Sequence, residues 1–290
     1  MPRSWTPRQT RMVLMILTGD VLEQLKSLPD ESVNCVVTSP PYWGLRDYGQ
    51  EGQLGLEPTP EEYVFKMVEV FKEIRRVLTA DGTCWLNIGD SYFSSTKGTQ
   101  GAKPKDLVGI PWRLAFALQA DGWCLRQDII WAKPNPMPES VTDRCTKSHE
   151  YVFLLSKSSS YYYDNQAIKE VGTGKSGTWS KKTHEARIGH GAFRKEYTPP
   201  ADGLRNKRDV WFIPTKPFKG AHFAVMPEAL VEPCILAGCP EGGVVLDPFF
   251  GSGTVGVVAI KHNRKYIGIE LNPEYVEIAK DRLGMFSETP

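Results

Sequence analysis

The sequence has no Cys-x-x-Cys pair, no strong net charge and no apolar run near the roughly 20 residues that a membrane helix requires. Its six cysteines (Cys35, Cys84, Cys124, Cys145, Cys234 and Cys239) are scattered, which argues against a zinc site. No metal is expected, and the thiols read as reduced and mostly buried. The start, MPRSWTPRQT, is basic and proline-containing, reads as a flexible arm and does not resemble a signal peptide. A soluble, cytoplasmic protein is the expectation, with no membrane partner. A formal net charge of +1 announces no polyanionic partner for the molecule as a whole.

What is present is a chain of 290 residues, long enough for one large α/β domain with a small appended module. Charge is distributed unevenly. Between Tyr161 and Val210 there are ten Lys or Arg against six Asp or Glu, a local +4, which leaves −3 for the remainder. Such a segment suits a phosphate-facing patch, although charge alone fits a solvated basic loop equally well.

Along the chain, strand-like and helix-like segments alternate. Met12 to Leu17 reads as a buried strand, and Val21 to Leu28 as a helix. Ser32 to Thr38 is continuous and β-branched, as expected of a central parallel strand, and runs into Ser39-Pro40-Pro41-Tyr42. Two consecutive prolines cannot continue a central strand, so the chain must leave the sheet there. Thr59-Pro60-Glu61-Glu62 is a helix start, with a capping Thr, an early Pro and acids at the positive dipole end. Val64, Phe65, Val68, Phe71, Ile74, Val77 and Leu78 follow at helical spacing, and Asp81-Gly82 is expected to end the element. Strands at Thr83 to Ile88, Leu125 to Trp131 and Tyr151 to Leu155 surround a helix from Leu107 to Ala120.

Residues 158–209 break this rhythm, with six glycines, Pro199-Pro200 and most of the basic excess. Order returns with Val210 to Ile213, a helix around Pro227 to Ala237, the strand Val244 to Leu246 and the helix Thr254 to His262. The strand Tyr266 to Ile269 and the helix Pro273 to Leu283 complete the pattern. The fold class predicted is α/β, a doubly wound, mostly parallel sheet carrying an inserted region.

Val244 to Gly256 is a hydrophobic strand, a tight turn and a helix start in which Gly251, Gly253 and Gly256 keep the G-x-G-x-x-G spacing. Glycine permits the turn and lets a ligand approach the backbone. Glu270 ends the next strand, where a carboxylate would meet ribose hydroxyls. No Lys follows the second glycine, which argues against a phosphate-binding P-loop. The turn by itself does not separate a dinucleotide from S-adenosylmethionine.

Ser39-Pro40-Pro41-Tyr42 makes that choice. Following a β-branched strand, in a chain that also carries the glycine turn and Glu270, it resembles the catalytic tetrapeptide of the DNA amino-methyltransferases, the cytosine-N4 and adenine-N6 group. The order of motifs resembles the subgroup in which the catalytic motif precedes the cofactor motif. The resemblance covers most of the chain outside residues 158–209 and implies S-adenosylmethionine as cofactor and double-stranded DNA as partner. It implies cofactor contacts from Asp247, Pro248, Phe249, Gly251, Ser252, Gly253 and Thr254 of the loop, from Asp20 toward the adenine amino group, and from Glu270 toward the ribose. His222 to Pro227 resembles the segment that leads a helix over the methionine end, and Trp131 to Pro136, including Lys133, resembles the loop near the target base. Residues 1–157 are then the catalytic part, 158–209 the target-recognition insertion and 210–290 the cofactor-binding part. A homodimer and a cognate restriction endonuclease stay open as further partners.

The chemistry fits these residues. An exocyclic base amine is a poor nucleophile because its lone pair is delocalised into the ring. Acceptors held in place, the Ser39 hydroxyl and the Pro40 carbonyl aimed by Pro41, favour localising that lone pair. Tyr42 offers a face for stacking, worth about 1–3 kcal/mol per base. A base within a duplex must be flipped out to reach such a pocket. In the insertion, Trp179, Arg187, Arg194, Arg205 and Arg208 are candidates for holding DNA. In the family, Ser at the first position goes mostly with cytosine-N4 and Asp or Asn with adenine-N6, so cytosine-N4 is expected, with adenine-N6 as the alternative. An RNA- or protein-amide methyltransferase is a weaker reading. A cytosine-C5 enzyme would need a cysteine nucleophile, and Pro233-Cys234 sits within an apolar helix. A dehydrogenase leaves Ser39 to Tyr42 unexplained, and an inactive DNA-binding scaffold would be expected to carry a damaged motif.

Overall fold

The computed structural model describes residues 14–93, 103–172, 203–216 and 225–287. Four of the expected site residues, Trp179, Arg187, Arg194 and His222, lie outside the described residues. In chain order the elements are β1 (Leu14–Thr18), α1 (Val21–Ser27), β2 (Val33–Thr38), α2 (Pro60–Val77), β3 (Leu78–Ile88), α3 (Ile110–Ala120), β4 (Cys124–Ala132) and β5 (His149–Ser156). They continue with β6 (Glu170–Val171), β7 (Leu204–Arg205), β8 (Val210–Phe212), α4 (Glu228–Gly238), β9 (Val244–Asp247), α5 (Thr254–Lys261), β10 (Lys265–Glu270) and α6 (Pro273–Ser287).

Eight strands form one sheet in the order β1-β10-β9-β2-β3-β5-β4-β8. All neighbours are parallel except β5, which is antiparallel to both β3 and β4. A buried layer lies on each face. One is packed by α1, α2 and α3 through Leu25, Tyr63, Phe71 and Leu114, and the other by α4, α5 and α6 through Ile235, Val257 and Ala279. The apolar runs of β2 and β9 are buried on both faces, as strands at the centre of a two-layer cover must be. These two strands come from opposite ends of the chain and lie side by side. Ligands of open α/β sheets bind beyond the carboxyl ends of strands at such a switch point.

Three expectations need correction. The helix begun by Thr59, whose side chain accepts the Glu62 N–H, ends at Val77 rather than at Asp81-Gly82. Leu78 already starts β3, and Asp81-Gly82 lies within that strand beside a register irregularity against β2. The buried stripe of α2 is Tyr63, Met67, Val70, Phe71, Ile74 and Val77, while Phe65 is exposed. Two overlapping apolar rows existed, and the one that faces the sheet is decided by packing. Finally, the residues that follow Ser158 do not stand apart from the main body. Tyr163 stacks on Trp85 with ring centroids 6.3 Å apart, Ile168 is buried in the second core layer, and the Asp164 N–H bonds the Ala237 carbonyl at 2.9 Å. Residues 158–168 therefore belong to the main body. The β6–β7 hairpin follows, where the Gly172 N–H bonds the Gly203 carbonyl at 2.8 Å.

Candidate active site

The carboxyl ends of β1, β10 and β9, adjacent and parallel, form one wall of the candidate site. Glu270, the last residue of β10, turns its carboxylate back on the glycine turn. Oε2 accepts the Gly251 N–H at 2.7 Å and Oε1 accepts the Asn272 N–H at 2.8 Å. Burial raises its pKa, and those backbone donors oppose the shift. The Gly19 N–H bonds the Glu270 carbonyl at 2.9 Å, which sets Asp20 beside it. Asp20 caps α1 through Oδ1, to the N–H groups of Leu22 at 2.9 Å and Glu23 at 3.1 Å. Both side chains have oxygen lone pairs beyond those bonds, as a polyhydroxylated, amino-bearing ligand needs.

The turn itself is built by backbone geometry. Gly251 and Gly253 adopt φ of 51° and 79°, where a side chain would be strained. The Phe250 ring folds under the turn and lies on Gly268 of β10, where a Cβ would come within 2.4 Å of it. Ser252 and Thr254 are buried, and Arg282 of α6 reaches both hydroxyls, at 2.8 and 3.2 Å, as well as the Ser252 carbonyl at 2.7 Å. Asp247 is only 1% exposed and accepts from Thr38 Oγ1 at 2.8 Å and the Phe249 N–H at 3.1 Å. Burial pushes its carboxyl up to about 7. Asp247, Ser252 and Thr254 thus shape the loop from inside, as does Pro248, which is also buried, whereas Phe249 keeps partial exposure. Gly268 and Arg282 were not anticipated from the sequence. An isolated Gly in a strand was the available signal for the first.

The other wall carries Ser39 to Tyr42, directly after β2. The buried Tyr63 hydroxyl of α2 donates to the Pro41 carbonyl at 2.9 Å and holds the diproline turn in place. The Tyr42 ring lies over Gly89, where a Cβ would be 2.7 Å away. Its hydroxyl stands 3.3 Å from Ser39 Oγ, 3.3 Å from Asn87 Oδ1 and 2.7 Å from Glu150 Oε2. Burial, followed by the charge of Glu150, holds the Tyr42 phenol well above its usual pKa, so it stays protonated. Asn87 donates to Glu150 at 3.1 Å, and Lys133 Nζ closes the group by pairing with Glu150 Oε1. The sequence pattern did not single out Asn87 or Glu150.

Trp131 does not present a face for a base. It is 4% exposed, its indole N–H bonds the Ile213 carbonyl at 2.8 Å, and the Lys133 ammonium covers its ring at 4.4 Å. This corrects the expectation of a base contact: Trp131 lies in the core near the end of β4, and Lys133, just past the strand end and on the same side, covers the ring with its stem and carries its ammonium to Glu150. Arg205 and Arg208 lie on the β6–β7 hairpin side, both paired to Glu170 Oε1, at 2.9 and 2.6 Å. Cys234 is buried with its thiol pKa raised by burial, so it does not serve as a nucleophile.

Comparison with known proteins agrees with this geometry. A family model described as DNA methylase matches residues 33–281. The type II methyltransferase M.XycI of Xanthomonas campestris pv. cyanopsidis is 52% identical over 289 residues, spanning 92% of this chain and 87% of that protein. The solved PvuII DNA methyltransferase, described as cytosine-N4-specific, superposes with a TM-score of 0.69 at 23% identity, over 93% of this chain and 86% of that one. A DNA modification methylase of Thermus thermophilus, solved with S-adenosyl-L-methionine, gives 0.65 at 24% identity over 96% of each chain. At these identities the two structures speak for the fold alone. The chain belongs to the amino-methyltransferases of DNA, enzymes that draw their methyl group from S-adenosylmethionine.

Proposed function

We propose that this protein methylates N4 of cytosine within a specific sequence of double-stranded DNA, as the modification enzyme of a type II restriction system. The observation that carries the choice of base is the uncharged Ser39 hydroxyl at the head of the catalytic turn, tied to Tyr42 rather than to a carboxylate of its own.

Bound S-adenosylmethionine supplies an activated methyl group on a positively charged sulfur. This chain's residues hold and orient. Glu270 and Asp20 take the ribose and adenine ends, and the Gly251 to Gly253 backbone takes the methionine end. Ser39 Oγ and the Pro40 carbonyl accept hydrogen bonds from the target amine and localise its lone pair. Holding the two reactants in line supplies much of the rate. The target base reaches the turn by flipping out of the duplex, at a few kcal/mol. Residues 169–209, with Arg205 and Arg208 at their described end, hold the phosphates and read the sequence.

The test is to methylate unmodified DNA with radiolabelled S-adenosylmethionine, digest to nucleosides and separate the products. Label in N4-methylcytosine is the expected result. Label in N6-methyladenine overturns the base, and label in RNA or protein overturns the substrate class.

A further inference from the structure

We propose that Glu150 acts through Tyr42 and Ser39 as a positioning group and proton acceptor. It sets the direction of the hydrogen bonds at the catalytic turn and takes up the proton that the target amine sheds. The inference rests on Ser39 accepting a hydrogen bond from that amine, and it holds for either base.

A carboxylate only accepts hydrogen bonds, and three donors converge on this one. Lys133 occupies Oε1, while Asn87 Nδ2 at 3.1 Å and the Tyr42 hydroxyl at 2.7 Å share Oε2. Asn87 cannot be turned the other way, because its Nδ2 also donates to the Tyr151 carbonyl at 3.1 Å. Tyr42 has a single proton, and the short bond commits it to Glu150. The Tyr42 oxygen can then only accept from Ser39, 3.3 Å away. The Ser39 proton is thereby turned toward Tyr42, and its lone pairs are left for the incoming amine. Without the carboxylate, Tyr42 is free to donate to Ser39 or to Asn87 Oδ1, and Ser39 then presents a proton to a group that is itself a donor. The site is well enclosed, with side-chain exposures of 18% for Lys133 and 15% for Glu150, so water competes poorly for these bonds.

The same chain of bonds carries the proton away. As the bond from the methyl carbon to the amine nitrogen forms, the carbon–sulfur bond breaks, the positive charge leaves sulfur, and nitrogen is left with one proton too many. Ser39 Oγ takes that proton and passes its own to Tyr42, and Tyr42 passes its own to Glu150 Oε2. Both hydroxyls are restored, and Glu150 is left as a neutral acid that loses its proton to solvent when the site opens.

The test uses the full chain with Glu150→Gln, Tyr42→Phe, Ser39→Ala and the double variant Glu150→Gln/Tyr42→Phe. Single-turnover rates on DNA are read beside calorimetric affinities for S-adenosylmethionine and for DNA. Glu150→Gln is expected to slow turnover by roughly 100-fold, the lower end of what a positioned acid–base group contributes. The two affinities should stay within about twofold, and the loss should shrink below about threefold in the Tyr42→Phe background, as expected for residues acting through one another. Glu150→Asp supplies a second variant should the amide disturb folding, with a smaller loss and the same non-additivity. Turnover of Glu150→Gln near that of the parent, or a loss of full size on top of Tyr42→Phe, overturns the proposal. Ser39→Ala with full turnover overturns instead the reading of Ser39 on which it rests.

Discussion

The two walls of the candidate site are assembled in different ways. On the cofactor side, Glu270 closes onto Gly251, 19 residues earlier, and the contact is made through a backbone N–H. On the base side, Tyr42 and Glu150 are 108 residues apart, and the cluster draws on the ends of four strands. Ser39 follows β2, Asn87 closes β3, Lys133 follows β4 and Glu150 opens β5. The first three leave the carboxyl ends of their strands. Glu150 joins them only because β5 runs antiparallel, which brings its first residues to the same edge. Apart from Asp20, which follows β1, the wall proposed for the cofactor is one contiguous strand–turn–helix–strand block, whereas the base side depends on the mutual register of four strands.

The largest expected effect separates the walls outright. Because the Gly172 N–H already bonds the Gly203 carbonyl, residues 173–202 can be replaced by a short turn without straining the β6–β7 hairpin. This variant should keep its affinity for S-adenosylmethionine in calorimetry. It should also lose specific DNA binding at matched salt, a discrimination of about 10³ or more in specific complexes. Specific binding retained would move recognition onto the main body.

A matched pair of glycines offers the next break. Gly268→Ala drives a methyl into the Phe250 ring beneath the cofactor turn, and Gly89→Ala drives one into Tyr42. Overpacking of this kind costs about 1–3 kcal/mol. The first should weaken S-adenosylmethionine binding, and the second should lower turnover while donor affinity stays intact. Equal effects of both variants on donor affinity would mean that the walls are mechanically one unit.

Asp247 joins the two walls, through Thr38 on β2, and its replacement should have the smallest effect on binding and turnover, with its consequence falling on stability. Its carboxyl sits at about 7 in the folded protein, above the value of about 3.9 usual for Asp. The fold therefore disfavours the charged form. Stability attributable to this group is greatest below about pH 4, declines as pH rises toward 7 and is level above that. Asp247→Asn retains an acceptor for Thr38. Its melting temperature should match the parent's near pH 4 and exceed it by on the order of 10 °C at pH 8, since a rise from about 3.9 to about 7 corresponds to about 4 kcal/mol, at roughly 2–4 °C per kcal/mol for a chain of this size. A variant less stable than the parent at pH 8 would show that the charge is needed.

Much of the fold was legible because it follows from local rules. Strand-sized apolar runs, the Thr59-Pro60 helix start and the glycine turn each specify their element from neighbouring residues alone. The errors share a cause. Asp81-Gly82 looks like a stop, but Leu78 had already begun pairing with Val33. Tyr161 to Tyr163 carry no period, yet their rings add enough apolar area to pack Tyr163 on Trp85. Trp131 looked like a residue for a base, and pairing of β4 with β5 and β8 turned it into the core.

The sequence by itself determined an alternating α/β chain, a glycine turn closed by an acid, and a diproline turn headed by Ser39, since each is a contiguous pattern whose geometry is set within a few residues. Tertiary structure alone decided that β9 lies beside β2, that β5 is reversed, and that Asn87, Lys133 and Glu150 meet the Tyr42 hydroxyl. Side chains that far apart in sequence are brought together by strand order and direction, which arise from burying both faces of one sheet and leave no periodic trace along the chain.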